Sequence, residues 1–252
     1  MSAYRYLITG GGMAADAAVR GIRQIDGDGA IGLVSREPHA PYRRPLLSKG
    51  LWLGKPRDRI WLNTEGLGVT LHLGKTVTEL DLHHRVVVDD EGTAYRFEKL
   101  LIATGGEPRR LPFGGDHIIY FRTFADYLRL WDLAEARRRF AVIGGGFIGS
   151  EIAAALTIIG KNVVMAFPED RIGSRVFPHD LAEFVTGYFT DRGVEVLPGH
   201  TLLSMSRAGT GLSLGFQSTH AVSNHSIEVE AAVAGLGIQP AVTLAEQAGL
   251  CV

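Results

Sequence analysis

At Gly10 and again at Gly144, a short apolar run ends in three consecutive glycines, and an alanine-rich stretch of helical character begins. Residues 6–9 lead into Gly10, Gly11, Gly12, Met13, Ala14 and Ala15, and residues 140–143 lead into Gly144, Gly145, Gly146, Phe147, Ile148 and Gly149. The pattern predicts helices over about 14–24 and 148–159, each followed by a second apolar strand at 30–34 and 162–167. A strand, a tight turn, a helix and a further strand make the start of a βαβ unit. Two such starts demand two parallel-sheet, doubly wound α/β domains.

Gly10, Gly12 and Ala15 fit G-x-G-x-x-G/A, and Gly144, Gly146 and Gly149 fit the all-glycine form. The first glycine allows the turn, the second admits a diphosphate close to the backbone, and the third small residue lets helix and strand pack closely. The diphosphate then meets the unpaired N–H groups at the positive helix end. One match in a chain with 32 glycines carries little weight, but two in the required context point to two bound dinucleotides. A ribose-binding acid is expected roughly 20 residues further on. Glu37 and Glu169 stand there, and a carboxylate at Glu169 favours NADH by repelling the 2′-phosphate of NADPH, although Arg171 and Arg175 lie near.

Between the motifs the sequence is β-rich. Short strands are expected at 71–73, 76–80, 86–88 and 94–97, with a hairpin turn at 89–92 and a separate strand at 99–103 ending in Thr104 and Gly105. The Pro- and Gly-containing stretch 108–115 reads as a linker, and 228–234 as one late strand. With 26 basic and 27 acidic residues the net charge is −1, which gives no reason to expect nucleic acid or an anionic membrane as partner. No apolar run reaches the roughly 18 residues of a membrane span, and the N-terminus runs into a strand rather than a signal peptide. The single cysteine, Cys251, suits a reducing, cytoplasmic setting and leaves no cysteine pair for disulfide reduction. The nine histidines show no metal-ligand spacing, and Ser48 and Ser150 lack the His and Asp companions of a nucleophile. Arg137 to Arg139 read as a helix end, where the dipole favours cations.

Residues 41–49 are Pro-Tyr-Arg-Arg-Pro-Leu-Leu-Ser-Lys, Ala103 to Gly105 form an ATG turn, and 144–151 read GGGFIGSE. On these segments the chain resembles the pyridine-nucleotide-dependent flavoprotein reductases of the glutathione-reductase fold over residues 4–252. The likeness is greatest to the branch holding apoptosis-inducing factor and the reductases of oxygenase ferredoxins. The resemblance implies that Gly10 to Ala15 hold the FAD diphosphate, that Arg44, Pro45 and Lys49 reach its flavin side, and that Val77 meets adenine through its backbone. Ala103, Thr104, Gly105 and Arg109 would close around the FAD. For NADH, Gly145 to Ile148 contact the dinucleotide and Glu151 orients the nicotinamide. Glu169 and Arg175 match nucleotide-binding positions, and Gly237 lies against the nicotinamide.

On this reading the fold is α/β: two Rossmann-like domains and a small β-rich insertion. Residues 1–111 form the first part of the FAD domain, 112–234 the NAD domain, and 235–252 an incomplete return to the first. Lys49 and Glu151 would form a partly buried interdomain ion pair within roughly 4 Å, costing a few kcal/mol if one partner were removed alone.

Two departures from the family pattern stand out. Arg36 occupies the position of a usual acid, which moves the ribose contact to Glu37. The sequence also ends at Val252, before the family's second FAD-binding Gly-Asp segment and C-terminal interface domain, so both are expected to be absent. The expected activity is hydride transfer from NADH to flavin, with electrons passed to a separate acceptor such as a ferredoxin or quinone. A homodimer belongs to the assemblies of the full-length family, and the sequence is silent on it here. The alternative is a dinucleotide-binding interaction or redox-sensing protein with little turnover.

Overall fold

The computed structural model describes residues 1–218 and 224–252. The chain divides into two compact units: Met1–Arg43, Arg57–Glu107 and Gln239–Val252 form one, and Arg44–Pro56 and Pro108–Ile238 the other.

The first unit begins β1 (Ser2–Thr9), α1 (Met13–Ile25), β2 (Ile31–Ser35) and continues with β3 (Val69–Leu73), β4 (Val77–Asp81), β5 (Val86–Asp89) and β6 (Ala94–Ile102). These strands make one six-stranded sheet in the order β3-β2-β1-β6-β5-β4, parallel from β3 to β6 and antiparallel beyond. Alternate residues of β1 face opposite sides, as the pleat requires. Ile8 packs with Ala15 and Val19 of α1, whereas Leu7 packs with Val87, Tyr95 and Phe97. The β-rich insertion between β3 and β6 makes no sheet of its own, because β4 and β5 extend the Rossmann sheet. The strands expected at 94–97 and 99–103 are one strand, because β6 stays in register with β1 from Tyr95 to Ile102 across the polar pair Glu98 and Lys99.

Asp16 pins α1 to the following loops. It is buried, it takes Arg20 Nε at 2.8 Å, and it accepts the hydroxyl proton of fully buried Thr64 at 2.7 Å. Asp16→Ala strands that hydroxyl, and a buried group left unsatisfied costs about 2 kcal/mol. The expected fall in Tm is roughly 4–8 °C for a chain of this size, measured by thermal denaturation. An unchanged Tm would show that the cluster carries no stability.

After β7 (Gly106–Pro108), the second unit contains β8 (Ile118–Tyr120), α2 (Phe124–Ala136), β9 (Arg139–Ile143), α3 (Phe147–Ile158), β10 (Asn162–Ala166), α4 (His179–Thr190), β11 (Glu195–Leu197), β12 (His200–Ala208), β13 (Gly211–Ser218), β14 (Asn224–Val229) and β15 (Ala231–Ala234). The strands β11-β10-β9-β15-β8 form a parallel sheet, and β12-β13-β14 a small antiparallel one. Their facing side chains, among them Ala141, Ile143, Leu214 and Phe216, share one core. The helix α2 opens on a reciprocal cap, in which Thr123 serves the N–H of Asp126 and Asp126 serves the N–H of Thr123. The single strand expected at 228–234 is two, since the chain changes sheets at Glu230. The Glu230 carboxylate accepts the backbone N–H groups of Arg138 and Arg139 at 2.7 and 2.8 Å. Those bonds, that to Arg139 first, hold its carboxyl below the usual carboxylate range. The chain then returns to the first unit through β16 (Ile238–Pro240) and α5 (Thr243–Gln247).

Residues 44–56 were expected with the first domain but belong to the second unit. Trp52 is the physical reason. Its ring meets Tyr127 and Trp131 of α2 at 5.6 and 5.4 Å, and its Nε1 donates to Leu47 O at 2.7 Å. Among the described residues, no helix is long and apolar enough to cross a membrane.

Candidate functional site

The two glycine turns are built alike, each in its own unit. In the first, Gly10 N donates to Val34 O and Ala103 N to Thr9 O, at 2.8 and 2.7 Å. In the second, Gly144 N donates to Ala166 O and Gly235 N to Ile143 O, at 2.9 and 2.8 Å. Gly10 and Gly144 have φ of +115° and +112°, and a Cβ there would stand 2.1 Å from Ala103 O and 2.5 Å from Gly235 O. Both positions therefore require glycine on internal grounds.

Gly12 and Gly146 differ. Their φ values are −91° and −84°, which any residue adopts, and a Cβ at either would meet nothing within 4 Å. Each is the N-cap of its helix, and neither contributes a side-chain hydrogen bond to the cap. The first turns of α1 and α3 thus have no capping side chain from their N-cap residues, and the space beside each N-cap Cα is open, at the positive ends of two helices. The only acid in the first turn of α1, Asp16, is paired with Arg20, and α3 has none. This donor set fits a dinucleotide diphosphate in each unit.

Around the first turn, the predicted residues Gly10 to Ala15, Ala103, Thr104 and Gly105 come together. Thr104 Oγ1 donates to Ala241 O at 2.7 Å, and Ala241 N donates to Gly105 O at 3.0 Å. Glu37 follows the end of β2, half-buried, and takes the hydroxyl proton of Tyr42 at 2.6 Å. Arg36, at the position of the usual acid, is ion-paired with Glu107. Val77 is the first residue of β4.

Around the second turn, Gly144 to Gly149 lie at the end of β9 and the start of α3. Glu169 follows β10 and is ion-paired with Arg175. The loop carrying Arg175 is tied to the glycine turn by a bond from Gly173 N to Gly145 O at 2.8 Å, and Phe177 meets Phe147 edge-on. No local sequence signal marks that tether, which joins residues 28 positions apart only after folding. In the same unit, Arg109 N donates to Gly237 O at 3.0 Å. Arg44, Pro45, Lys49 and Arg109, grouped by sequence with the first motif, all lie in the second unit. Arg44 Nη1 donates to Arg122 O at 3.2 Å, while Pro45 is exposed.

Lys49 Nζ lies 2.9 Å from Glu151 Oε1, inside the expected distance. The pair is not interdomain, because both residues belong to the second unit. Nor is it as buried as expected, since the Lys49 side chain is 54% exposed and that of Glu151 23%. Such a pair is worth about 0.2–1 kcal/mol rather than several. The other carboxylate oxygen, Oε2, accepts the hydroxyl proton of buried Ser48 at 2.5 Å. No local pattern in the sequence marks Ser48 as a partner of Glu151, 103 positions away.

Comparison with known proteins decides the family. The profile of the pyridine nucleotide-disulphide oxidoreductases matches residues 4–252. The chain belongs to that family. As a member, it is 33% identical to the ferredoxin–NAD(+) reductase component of an anthranilate 1,2-dioxygenase system from Burkholderia cepacia, over 99% of this chain and 62% of that protein. It is 33% identical to a mitochondrial apoptosis-inducing factor 1 of Dictyostelium discoideum, over 78% of this chain and 42% of that one. The fold superimposes on a solved putidaredoxin reductase–putidaredoxin complex with a TM-score of 0.89 at 26% identity, covering 100% of this chain and 63% of that one. The chain thus spans less than two-thirds of each of these relatives. Family membership and these relatives support FAD and a pyridine nucleotide as the two dinucleotides.

Proposed function

We propose that this family member is an NADH-dependent flavoprotein reductase that passes electrons to a separate acceptor protein. One observation carries the reading. Gly12 and Gly146 are glycines that neither backbone conformation nor neighbouring atoms require, each in front of an unserved helix N-terminus. Bound in these sites, a nicotinamide would supply a hydride and a flavin would relay its electrons to the acceptor. The chain's part is to hold and orient. In the first unit, the α1 N-terminus, Ala103 to Gly105, Glu37 and Val77 hold the FAD; in the second, the family resemblance gives Arg44, Pro45, Lys49 and Arg109 flavin-side roles. The α3 N-terminus and Gly237 hold the nucleotide, with Glu151 against the nicotinamide. Glu169 takes the ribose hydroxyls, and its carboxylate favours NADH over NADPH; Arg175, its ion-pair partner, bounds the same site. The ferredoxin reductase and putidaredoxin reductase relatives support a small electron-carrier protein as acceptor. Cys251, the only cysteine, supports a reducing, cytoplasmic setting.

The test is the absorption spectrum of the purified chain supplied with FAD, followed anaerobically on adding NADH. The expected result is a flavin spectrum that NADH bleaches, and NADPH bleaches at least about tenfold less efficiently, a difference of about 1.4 kcal/mol. A colourless chain that takes up no FAD would sink the flavoenzyme reading. NADH binding without bleaching would favour the alternative of a dinucleotide-binding sensor.

A further inference from the structure

The Glu151 carboxylate is held at both oxygens by consecutive residues, Lys49 on Oε1 and Ser48 on Oε2. The two partners differ physically. Lys49 is half-exposed and carries its charge on a four-carbon stem, so it attracts the carboxylate without fixing its plane. Ser48 is 4% exposed, has one side-chain torsion, and makes a short hydrogen bond to an ionised acceptor, the stronger class of such bonds. Its backbone is held from both sides. Leu47 N donates to Arg44 O at 3.0 Å, Lys49 N to Leu46 O at 3.3 Å, and Trp52 Nε1 to Leu47 O at 2.7 Å, with Leu51 and Trp52 buried. Glu151, the fifth residue of α3, has three torsions to restrain and no other side-chain hydrogen bond among those described.

We infer that Ser48 is a positioning residue: its hydroxyl sets the orientation of the Glu151 carboxylate, and through it the alignment of the nicotinamide. This rests on the reductase reading above. A misplacement of about 1 Å at a reacting centre lowers a rate by up to about 100-fold while leaving most binding contacts intact. The role therefore belongs to the reduction rate at saturating NADH rather than to NADH affinity.

The test is a double-mutant cycle of Ser48→Ala and Glu151→Gln in the FAD-loaded chain, read by rapid-mixing flavin reduction and by the Kd for NADH. Thermal unfolding without cofactors provides a readout independent of activity. Ser48→Ala should slow reduction roughly tenfold or more with Kd changed less than about twofold. Ser48→Thr, which keeps the hydroxyl, should restore most of the rate. In the Glu151→Gln background the serine change should have a smaller effect on rate and on Tm, because the amide oxygen still accepts the hydroxyl but without the strength of an ionised acceptor. Reduction as fast in Ser48→Ala as in the wild type would overturn the role, as would equal losses in both backgrounds or a failure of threonine to rescue. If NADH does not bleach the wild-type flavin at all, the reductase reading falls and the positioning role falls with it. That outcome is distinct from a bleached wild type with an indifferent Ser48→Ala.

Discussion

Replacing Gly149 by alanine should lower the Tm of this chain by roughly 6–12 °C, whereas replacing Gly146 by alanine should leave it unchanged and still remove NADH binding. The contrast follows from what each new methyl group meets. A Cβ at Gly149 would stand 1.9 Å from Gly144 O and 2.9 Å from Gly144 C, both backbone atoms. Backbone cannot rotate away as a side chain can, so α3 must lift off β9. Overpacking of this kind costs about 3 kcal/mol, and at 2–4 °C per kcal/mol for a chain of this size that gives the stated shift. At Gly146 the Cβ meets nothing within 4 Å, and φ is already in a region open to every residue. It enters instead the space in front of the α3 N-terminus where a diphosphate would approach. Loss of at least about two orders of magnitude in NADH affinity, or about 2.7 kcal/mol, is expected. Calorimetry of both variants, with unfolding curves beside it, separates the two effects. A Gly146→Ala chain that binds NADH as the wild type does would remove the observation on which the proposed function stands. Gly12→Ala should act likewise on FAD retention in the first unit, since its surroundings are equally open.

The second large effect is expected at Lys49. Lys49→Ala should slow flavin reduction by NADH about tenfold to 100-fold, the range for losing a positioned charged group at a reacting centre. NADH affinity should change less than about twofold, because Lys49 touches Glu151 rather than the glycine turn that would hold the nucleotide. The fold should be nearly indifferent. With the Lys49 side chain 54% exposed, the ion pair is screened by water, and its loss costs about 0.2–1 kcal/mol. Rapid-mixing kinetics at several NADH concentrations separates rate from affinity. An unchanged limiting rate would defeat any part of Lys49 in hydride transfer, and an equal loss in rate and affinity would make it a binding residue.

Much of this architecture was legible in the order of residues, because the features that carry it are local. A strand followed by glycines and an alanine-rich helix is a contiguous pattern, and both occurrences fold as expected, at Gly10 and at Gly144. The helix limits differ from expectation by one residue at each end, Met13–Ile25 against 14–24 and Phe147–Ile158 against 148–159. The ATG motif was legible as a local pattern, but its place beside Gly10 is not local, since the strand leading into it, β6, pairs with the distant β1, Tyr6 opposite Lys99. Strand identity was less legible. Glu98 and Lys99 looked like a break because they are polar, yet β6 runs through them, since a strand face can be wet where no layer covers it. Glu230 looked like the middle of a strand, yet the chain changes sheets there because its carboxylate captures two N–H groups at the start of β9.

The sequence by itself determined the two dinucleotide-type glycine turns, the helices they open and the family to which the chain belongs. Each rests on residues close together in the chain, where steric limits on φ and the free N–H groups of a helix start act without help from distant segments. Tertiary structure alone decided the company those residues keep. It placed residues 44–56 in the second unit, because Trp52 finds its aromatic partners, Tyr127 and Trp131, on α2. It made the Lys49–Glu151 pair a contact within one unit rather than between two, and left it half in water. It also made Ser48, which in the sequence had no partner to be read with, the second hydrogen-bonding partner of Glu151, 103 positions away. Such partners are chosen by packing, which depends on shapes brought together from distant parts of the chain and leaves no periodic or local mark in the sequence.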